Sequence, residues 1–303
     1  MLITLAVIFG IILFASLICY IKVFYSPLPG QAIYSVPNSG QYQGMRDRMR
    51  QMVKVFAEKE YESVEIMSRE GLKLHGRLYV NNPEAPVDIC FHGYRSSGVR
   101  DFCGGSEISF ELGHNIILVD QRAQGESKGH TIAFGIKERF DVLSWVDYAI
   151  CRFGEDRDIN LFGVSMGAAT VLMASGLELP ENVKHIVADC PYSSPADIIK
   201  TVCRALHLPP ALVYPFIRLG AFVFGHFDLE KTNAAESVKS ARIPILIIHG
   251  EDDRFVPCDM SAQIQSANPA LIQRETFPNA AHGISYMVDR ERYRKLAAEF
   301  ISK

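Results

Sequence analysis

Short apolar runs alternate with longer amphipathic stretches over most of this chain. Runs rich in β-branched and aromatic residues predict buried strands, namely Val87 to Phe91, Asn115 to Val119, Ile159 to Phe162, Val183 to Ala188, Ile245 to Ile248 and Ile272 to Phe277. Stretches with helical spacing of apolar positions separate these strands and predict helices, among them Ile136 to Phe153, Met260 to Ser266 and Asp289 to Ile301. Ser63 to Ser68 and Leu72 to Val80 flank Glu70-Gly71 and predict a hairpin. The alternation predicts an α/β fold with a mostly parallel sheet and helices on both faces.

The first residues follow a different pattern. Leu2 to Ile21 is almost entirely apolar, and as a helix it would be about 30 Å long, which matches the hydrocarbon core of a bilayer. A secretory signal peptide is the alternative, but no Lys or Arg precedes the apolar run. Lipidation of Cys19 is disfavoured because Ile18 precedes it. Lys22 lies on the C-terminal side, so we expect a single-pass cell-membrane anchor, residues 1–25, with the domain that follows in the cytoplasm.

Two further segments complete the expected organisation. Residues 26–44 are rich in Pro, Gly, Ser, Gln and Asn and predict a linker, and 45–60 predict an amphipathic helix. Residues 61–303 are then one α/β domain. Residues 194–241 separate two strands by more than one helix requires, which predicts a helical lid over a site; two ordinary core helices are the alternative.

Composition excludes several classes of function. The chain of 303 residues is 48% hydrophobic and 21% charged, with a net charge of -3, so a nucleic acid is not an expected partner. Its seven cysteines are scattered and form no C-x-x-C, which disfavours disulfides and structural zinc and favours a reducing compartment. The oligomeric state is left open.

A short motif suggests the chemistry. Gly163-Val164-Ser165-Met166-Gly167 follows a predicted strand and opens a helix-forming stretch. This is G-x-S-x-G in strand–turn–helix context, where a tight turn needs small flanking residues and exposes the serine hydroxyl above a sheet edge. The motif alone is weak, so its value depends on a base and an acid elsewhere in the chain.

Candidates for both lie downstream, after predicted strands. His282 stands between small residues in a loop after the last strand, where the ring has room to approach Ser165. Asp252 and Asp253 both follow the preceding strand, and Asp189 follows the strand before that. A serine nucleophile needs a histidine base and an acid to orient it.

Together these motifs resemble the alpha/beta-hydrolase superfamily, and most closely bacterial membrane-anchored serine hydrolases related to the serine aminopeptidase and prolyl oligopeptidase-like groups. The order serine, acid, histidine is that of the superfamily. Alignment with its G-x-x-D-x-x-V-P pattern favours Asp253 over Asp252. The resemblance implies an oxyanion hole formed by the backbone amides of Tyr94 and Met166.

The resemblance also covers Asp120 to Ser127, which is similar to a D-x-R-G-x-G-x-S stretch, with Ala123 in place of a glycine. It implies a Ser165–Asp253–His282 mechanism that requires no cofactor and no metal. Expected substrates are small acyl esters or thioesters with apolar acyl groups. An aminopeptidase-like activity on small peptides and a catalytically silent, membrane-tethered binding protein are the alternatives.

Overall fold

The computed structural model describes residues 2–26, 36–37 and 40–303. Within them, eight strands form one sheet in the order β1-β2-β4-β3-β5-β6-β7-β8. The strands are β1 (Glu62–Met67), β2 (Lys73–Tyr79), β3 (Val87–Phe91), β4 (Asn115–Val119), β5 (Ile159–Val164), β6 (Val183–Asp189), β7 (Ile245–Gly250) and β8 (Ile272–Phe277). β1 and β2 form an antiparallel hairpin, β2 pairs antiparallel with β4, and β3 to β8 are parallel. The predicted hairpin and mostly parallel sheet are confirmed.

Helices fill the connections between the strands. They are α1 (Leu2–Val23), α2 (Arg46–Ala57), α3 (Gly98–Phe102), α4 (Ser106–Glu111), α5 (Glu138–Phe153), α6 (Met166–Ala174), α7 (Pro195–Ala205), α8 (Pro210–Val223), α9 (Ala234–Ser237), α10 (Asp259–Ala267), α11 (Ser285–Val288) and α12 (Arg290–Ile301). Short 3-10 turns occur at Gly40–Tyr42 and Val238–Ser240.

The sheet separates two apolar cores, because successive side chains along a strand point to opposite faces. Leu161 of β5 packs in the core that contains α5, α6, α7 and α8. Its neighbour Phe162 packs in the core that contains α2, α3, α4, α11 and α12. Both faces of the sheet are thus covered, which explains why its central strands are continuous apolar runs.

The C-terminal part of α1 is integrated into the first of these cores. Tyr20 and Phe24 are buried, and the Tyr20 hydroxyl lies 2.7 Å from Thr131 Oγ1. Tyr25 forms a β-bridge with Thr131. The last residues of the expected anchor, 1–25, therefore also pack against the domain, where these aromatic side chains bury their apolar area. Of the expected linker, 27–35 and 38–39 lie outside the described residues.

Candidate active site

The turn between β5 and α6 holds Ser165 in a strained conformation. Its backbone has φ 55° and ψ −112°, a region that side-chain-bearing residues rarely adopt. A Cβ on Gly167 would lie 1.8 Å from the carbonyl oxygen of Phe91, and a Cβ on Gly163 would lie 2.4 Å from that of Gly167. Both glycines of the motif are therefore required by close backbone packing. The turn presents the Ser165 hydroxyl at the carboxyl edge of the sheet.

The structure brings Ser165, His282 and Asp253 into one hydrogen-bonded chain. His282 Nε2 lies 2.9 Å from Ser165 Oγ. On the other side of the ring, Nδ1 lies 2.6 Å from Asp253 Oδ2. These contacts join residues 117 and 29 positions apart in the sequence. With the proton on Nδ1, the ring accepts the serine proton at Nε2, which is the arrangement that a general base requires.

Asp253 is held by more than His282. Its Oδ1 accepts hydrogen bonds from the backbone N–H groups of Phe255 and Val256, both at 2.8 Å. His249 Nε2 lies 3.0 Å from the Val256 carbonyl oxygen and 3.3 Å from Asp253 Oδ2. Burial by itself raises the pKa of Asp253, but the hydrogen bonds from His249 and His282 outweigh it and hold the pKa well below its usual range. Asp253 is thus an ionised carboxylate beside His282.

Neither of the other two acid candidates has a hydrogen bond to His282. Asp252 is exposed. Asp189 is buried, and its Oδ2 accepts a hydrogen bond from the Tyr293 hydroxyl at 3.0 Å, while its Oδ1 has no partner. Burial raises the pKa of Asp189 to about 6. The preference for Asp253 over both alternatives therefore agrees with the geometry.

The backbone amides expected to form the oxyanion hole are those of Tyr94 and Met166. Among the described residues, neither the N–H of Tyr94 nor that of Met166 donates to another protein group. Met166 is the first residue of α6, so the positive end of the helix dipole reinforces its amide. Asp101 Oδ2 accepts the N–H of the neighbouring Gly93 at 2.7 Å. The loop after β3 is thereby fixed one residue before Tyr94.

The loop that carries Tyr94 is also held by the 120–127 segment. Gln124 Oε1 accepts the N–H of Arg95 at 2.6 Å, and His92 Nε2 accepts the N–H of Gln121 at 3.2 Å. Ala123 has φ 61°, which is a conformation that favours glycine. This explains why the D-x-R-G-x-G-x-S pattern that the segment resembles has a glycine at this position. The segment supports the site and does not reach the serine.

A cavity of about 390 Å³ opens at Ser165 and His282. Most of its wall is apolar. The sulfur-containing, aromatic and aliphatic side chains that line it include Met49, Met52, Cys90, Phe102, Ile108, Phe162, Val187, Tyr286 and Met287. The cavity is large enough for a drug-sized acyl group and apolar enough to exclude much of the water around one.

Residues before the catalytic domain contribute to this cavity. Pro37, Gln41 and Tyr42 line it, and the buried Tyr42 hydroxyl donates a hydrogen bond to the His282 carbonyl oxygen at 3.0 Å. The sequence interpretation assigned this part of the chain to a linker and missed its role. In contrast, none of the described residues in 194–241, the expected lid, lines the cavity. That segment packs against α1 and the core instead, because α7 and α8 bury their apolar faces there.

One group of potential metal ligands occurs near the serine. In the described part of the chain, ligand atoms of Cys190, Asp253 and His282 lie within 4.8 Å of one another. Asp253 and His282 are hydrogen-bonded to each other, and burial raises the pKa of the Cys190 thiol well above its usual value. A soft metal needs a thiolate, which this environment disfavours. The arrangement is suited to moving a proton from Ser165.

Comparison with known proteins agrees with the fold. A family model described as the alpha/beta hydrolase fold matches residues 89–223. The uncharacterized protein YqkD of Bacillus subtilis is 24% identical over 249 residues, which cover 81% of each chain. The thiohydrolase aneE of Aspergillus aculeatus is 31% identical over 143 residues, 46% of this chain and 44% of that one. The esterase Pf2001 of Pyrococcus furiosus superposes with a TM-score of 0.67 at 22% identity, covering 90% of this chain and 95% of that structure.

The fold and the matched family define an alpha/beta hydrolase, as the sequence motifs predicted. The family model covers residues 89–223, and together with the fold it supports the alpha/beta-hydrolase superfamily.

Proposed function

We propose that the protein is a serine hydrolase that cleaves carboxylic esters or thioesters through an acyl-enzyme on Ser165. One observation carries this proposal: His282 Nε2 lies 2.9 Å from Ser165 Oγ while Nδ1 lies 2.6 Å from the carboxylate of Asp253. A histidine in this position removes the serine proton as the oxygen attacks, and the acid stabilises the imidazolium that forms.

The reaction proceeds in two half-reactions. Ser165 Oγ attacks the substrate carbonyl carbon as its proton moves to His282 Nε2, and the carbonyl oxygen becomes an oxyanion that the Tyr94 and Met166 amides stabilise. The tetrahedral intermediate expels the alcohol or thiol, which takes the proton from His282. Water then attacks the acyl-enzyme with His282 as base, and the carboxylic acid leaves as Ser165 regains its proton. Each oxyanion donor of this type contributes about 3 kcal/mol to the barrier reduction.

The cavity supports substrates with apolar acyl groups. Its wall is rich in Met and aromatic side chains, and a flexible Met-lined wall accommodates chains of varied shape. One curated relative is a thiohydrolase and one structural neighbour is an esterase. These observations favour esters and thioesters over the alternative, an aminopeptidase-like activity on small peptides.

The substrate class is tested with p-nitrophenyl esters of increasing acyl length and with aminoacyl amides, using the wild type and Ser165→Ala. We expect ester hydrolysis that rises with acyl length and is lost in Ser165→Ala. A preference for the amides would instead establish the peptidase. A folded wild type that hydrolyses neither class would indicate a silent binding protein.

We also propose that α1 is a retained membrane anchor and that the catalytic domain lies in the cytoplasm. The helix is long and apolar enough to cross a bilayer. Cleavage behind it would remove Tyr20 from a core in which it is buried, so retention is favoured over a signal peptide. Lys22 follows the apolar run and favours the cytoplasmic side. Protease treatment of spheroplasts tests the orientation: we expect the domain to be protected, and its digestion from outside would refute the proposal.

A further inference from the structure

The fully exposed part of α1 is short. Residues 2–11 are exposed, whereas contact with the domain begins at Ile12, and Ser16 and Tyr20 are buried. Ten helical residues extend about 15 Å, which is half of the roughly 30 Å hydrocarbon core of a bilayer. If α1 spans the membrane, the protein that packs against its second half must lie at membrane depth too.

The helix α8 packs against this second half of α1. A Cβ on Gly220 of α8 would lie 2.4 Å from the backbone oxygen of Ser16, so the two helices are in close backbone contact. The rings of Tyr20 and Phe224, just after α8, are 5.9 Å apart. Small residues permit this close approach between helices in membranes. α8 therefore lies beside the 12–20 part of α1.

The outer face of α8 is apolar. Leu212 is 67% exposed and Phe222 64% exposed, and the loop before the helix adds exposed Leu206 and Leu208. The one charged residue of α8 is Arg218, which is paired with Asp228 and Glu230 at 3.4 and 2.6 Å. An unpartnered face of this kind marks an interaction surface.

We propose that α8 is embedded in the bilayer beside residues 12–20 of α1, with its Leu212 and Phe222 face against lipid. This inference rests on the proposed retention of α1 as a membrane anchor. The helix has 14 residues, which are too few to cross the bilayer alone, so it enters from one side only. The occupant of the apolar face is lipid, because α8 packs directly against the part of α1 that carries the exposed apolar side chains of Phe14 and Ile18. The catalytic domain then lies against the membrane surface.

The test measures the reaction of single cysteines with a membrane-impermeant maleimide in phosphatidylcholine–phosphatidylglycerol vesicles. Cys151 is the exposed native cysteine among the described residues, so Cys151→Ser is the background, and its residual labelling is subtracted. Leu212→Cys and Phe222→Cys report on α8. Ile8→Cys reports on the exposed part of α1, and Ser266→Cys on an exposed site of the catalytic domain. All four rates are normalised to the rates in denaturant.

We expect Leu212→Cys and Phe222→Cys to react at least tenfold more slowly than Ser266→Cys, and Ile8→Cys to be similarly protected. If the α8 positions react as fast as Ser266→Cys while Ile8→Cys is protected, α1 is an anchor but α8 lies outside the membrane, and the inference is wrong. If Ile8→Cys also reacts fast, the anchor proposal fails. Protection of α8 that disappears as the protein-to-lipid ratio is lowered indicates a second copy of the chain as the occupant and overturns the inference.

Discussion

Replacing Asp253 with Asn changes one atom, and the surrounding donors determine which way the amide points. Two backbone N–H groups, of Phe255 and Val256, lie 2.8 Å from Oδ1, so the Asn carbonyl oxygen must occupy that position. The Asn NH₂ group then replaces Oδ2, 2.6 Å from His282 Nδ1. A donor at this position forces Nδ1 to accept, so the ring carries its proton on Nε2. In that tautomer His282 donates toward Ser165 and no longer acts as its base.

We therefore expect Asp253→Asn to reduce kcat for ester hydrolysis by about 10⁴-fold, as loss of the correct tautomer does in serine hydrolases of this design. This corresponds to about 5.5 kcal/mol of transition-state stabilisation. The assay is steady-state hydrolysis of p-nitrophenyl butyrate, with urea unfolding to show that the variant folds. Asp252→Asn is the matched control, because Asp252 is the exposed neighbour, and we expect its kcat to stay within about twofold of the wild type. A loss of less than about tenfold in folded Asp253→Asn would refute the proposed tautomer control.

Three further predictions concern the frame of the site. Gly167→Ala should destabilise the protein by more than about 3 kcal/mol in urea unfolding, because the added Cβ would lie 1.8 Å from a backbone oxygen. Gly44→Ala is the control, since a Cβ on Gly44 would meet open space. Equal unfolding midpoints for the two variants would contradict the packing argument. Asp189 has a folded-state pKa raised from 3.8 to about 6, so the stability that its neutral form confers is present below pH 4 and is lost as pH rises through 6. The free energy of unfolding of Asp189→Asn should rise relative to wild type by about 2 kcal/mol between pH 4 and pH 7, and a constant difference would show that Asp189 does not titrate there. Tyr42→Phe removes the hydrogen bond to the His282 carbonyl and should cost about 1 kcal/mol of stability, whereas unchanged stability would show that the bond is unimportant.

The strands and the reacting side chains were predictable because local patterns encode them. Buried parallel strands are continuous apolar runs, and the superfamily places its serine, acid and histidine directly after such runs. Asp253 was separable from Asp252 because the segment resembles the G-x-x-D-x-x-V-P pattern of the superfamily, which selects Asp253. Local motifs therefore indicate the three residues that form the hydrogen-bonded chain.

The remaining features depend on contacts between distant parts of the chain. Tyr42 lies 240 residues from its partner His282 in the sequence. A segment rich in Pro, Gly and Ser has the composition of a linker, and that composition does not show whether an aromatic side chain within it packs against the domain. The packing of α1 on α8 requires a glycine at position 220, because a Cβ there would overlap the backbone of Ser16. The sequence around Gly220 does not show which helix it contacts. The expectation of a lid at 194–241 followed from segment length and strand-end position, which do not specify what the helices cover.

The central claim is that Ser165 forms a covalent bond to the substrate carbonyl carbon. The most direct measurement is peptide mass spectrometry of the folded, full-length protein after treatment with a fluorophosphonate, which reacts with an activated serine as an ester does. We predict one phosphonyl group per chain, located on the peptide that contains Ser165, absent in Ser165→Ala and formed far more slowly in Asp253→Asn. An unmodified folded wild type, or a modification on another residue, would contradict the account.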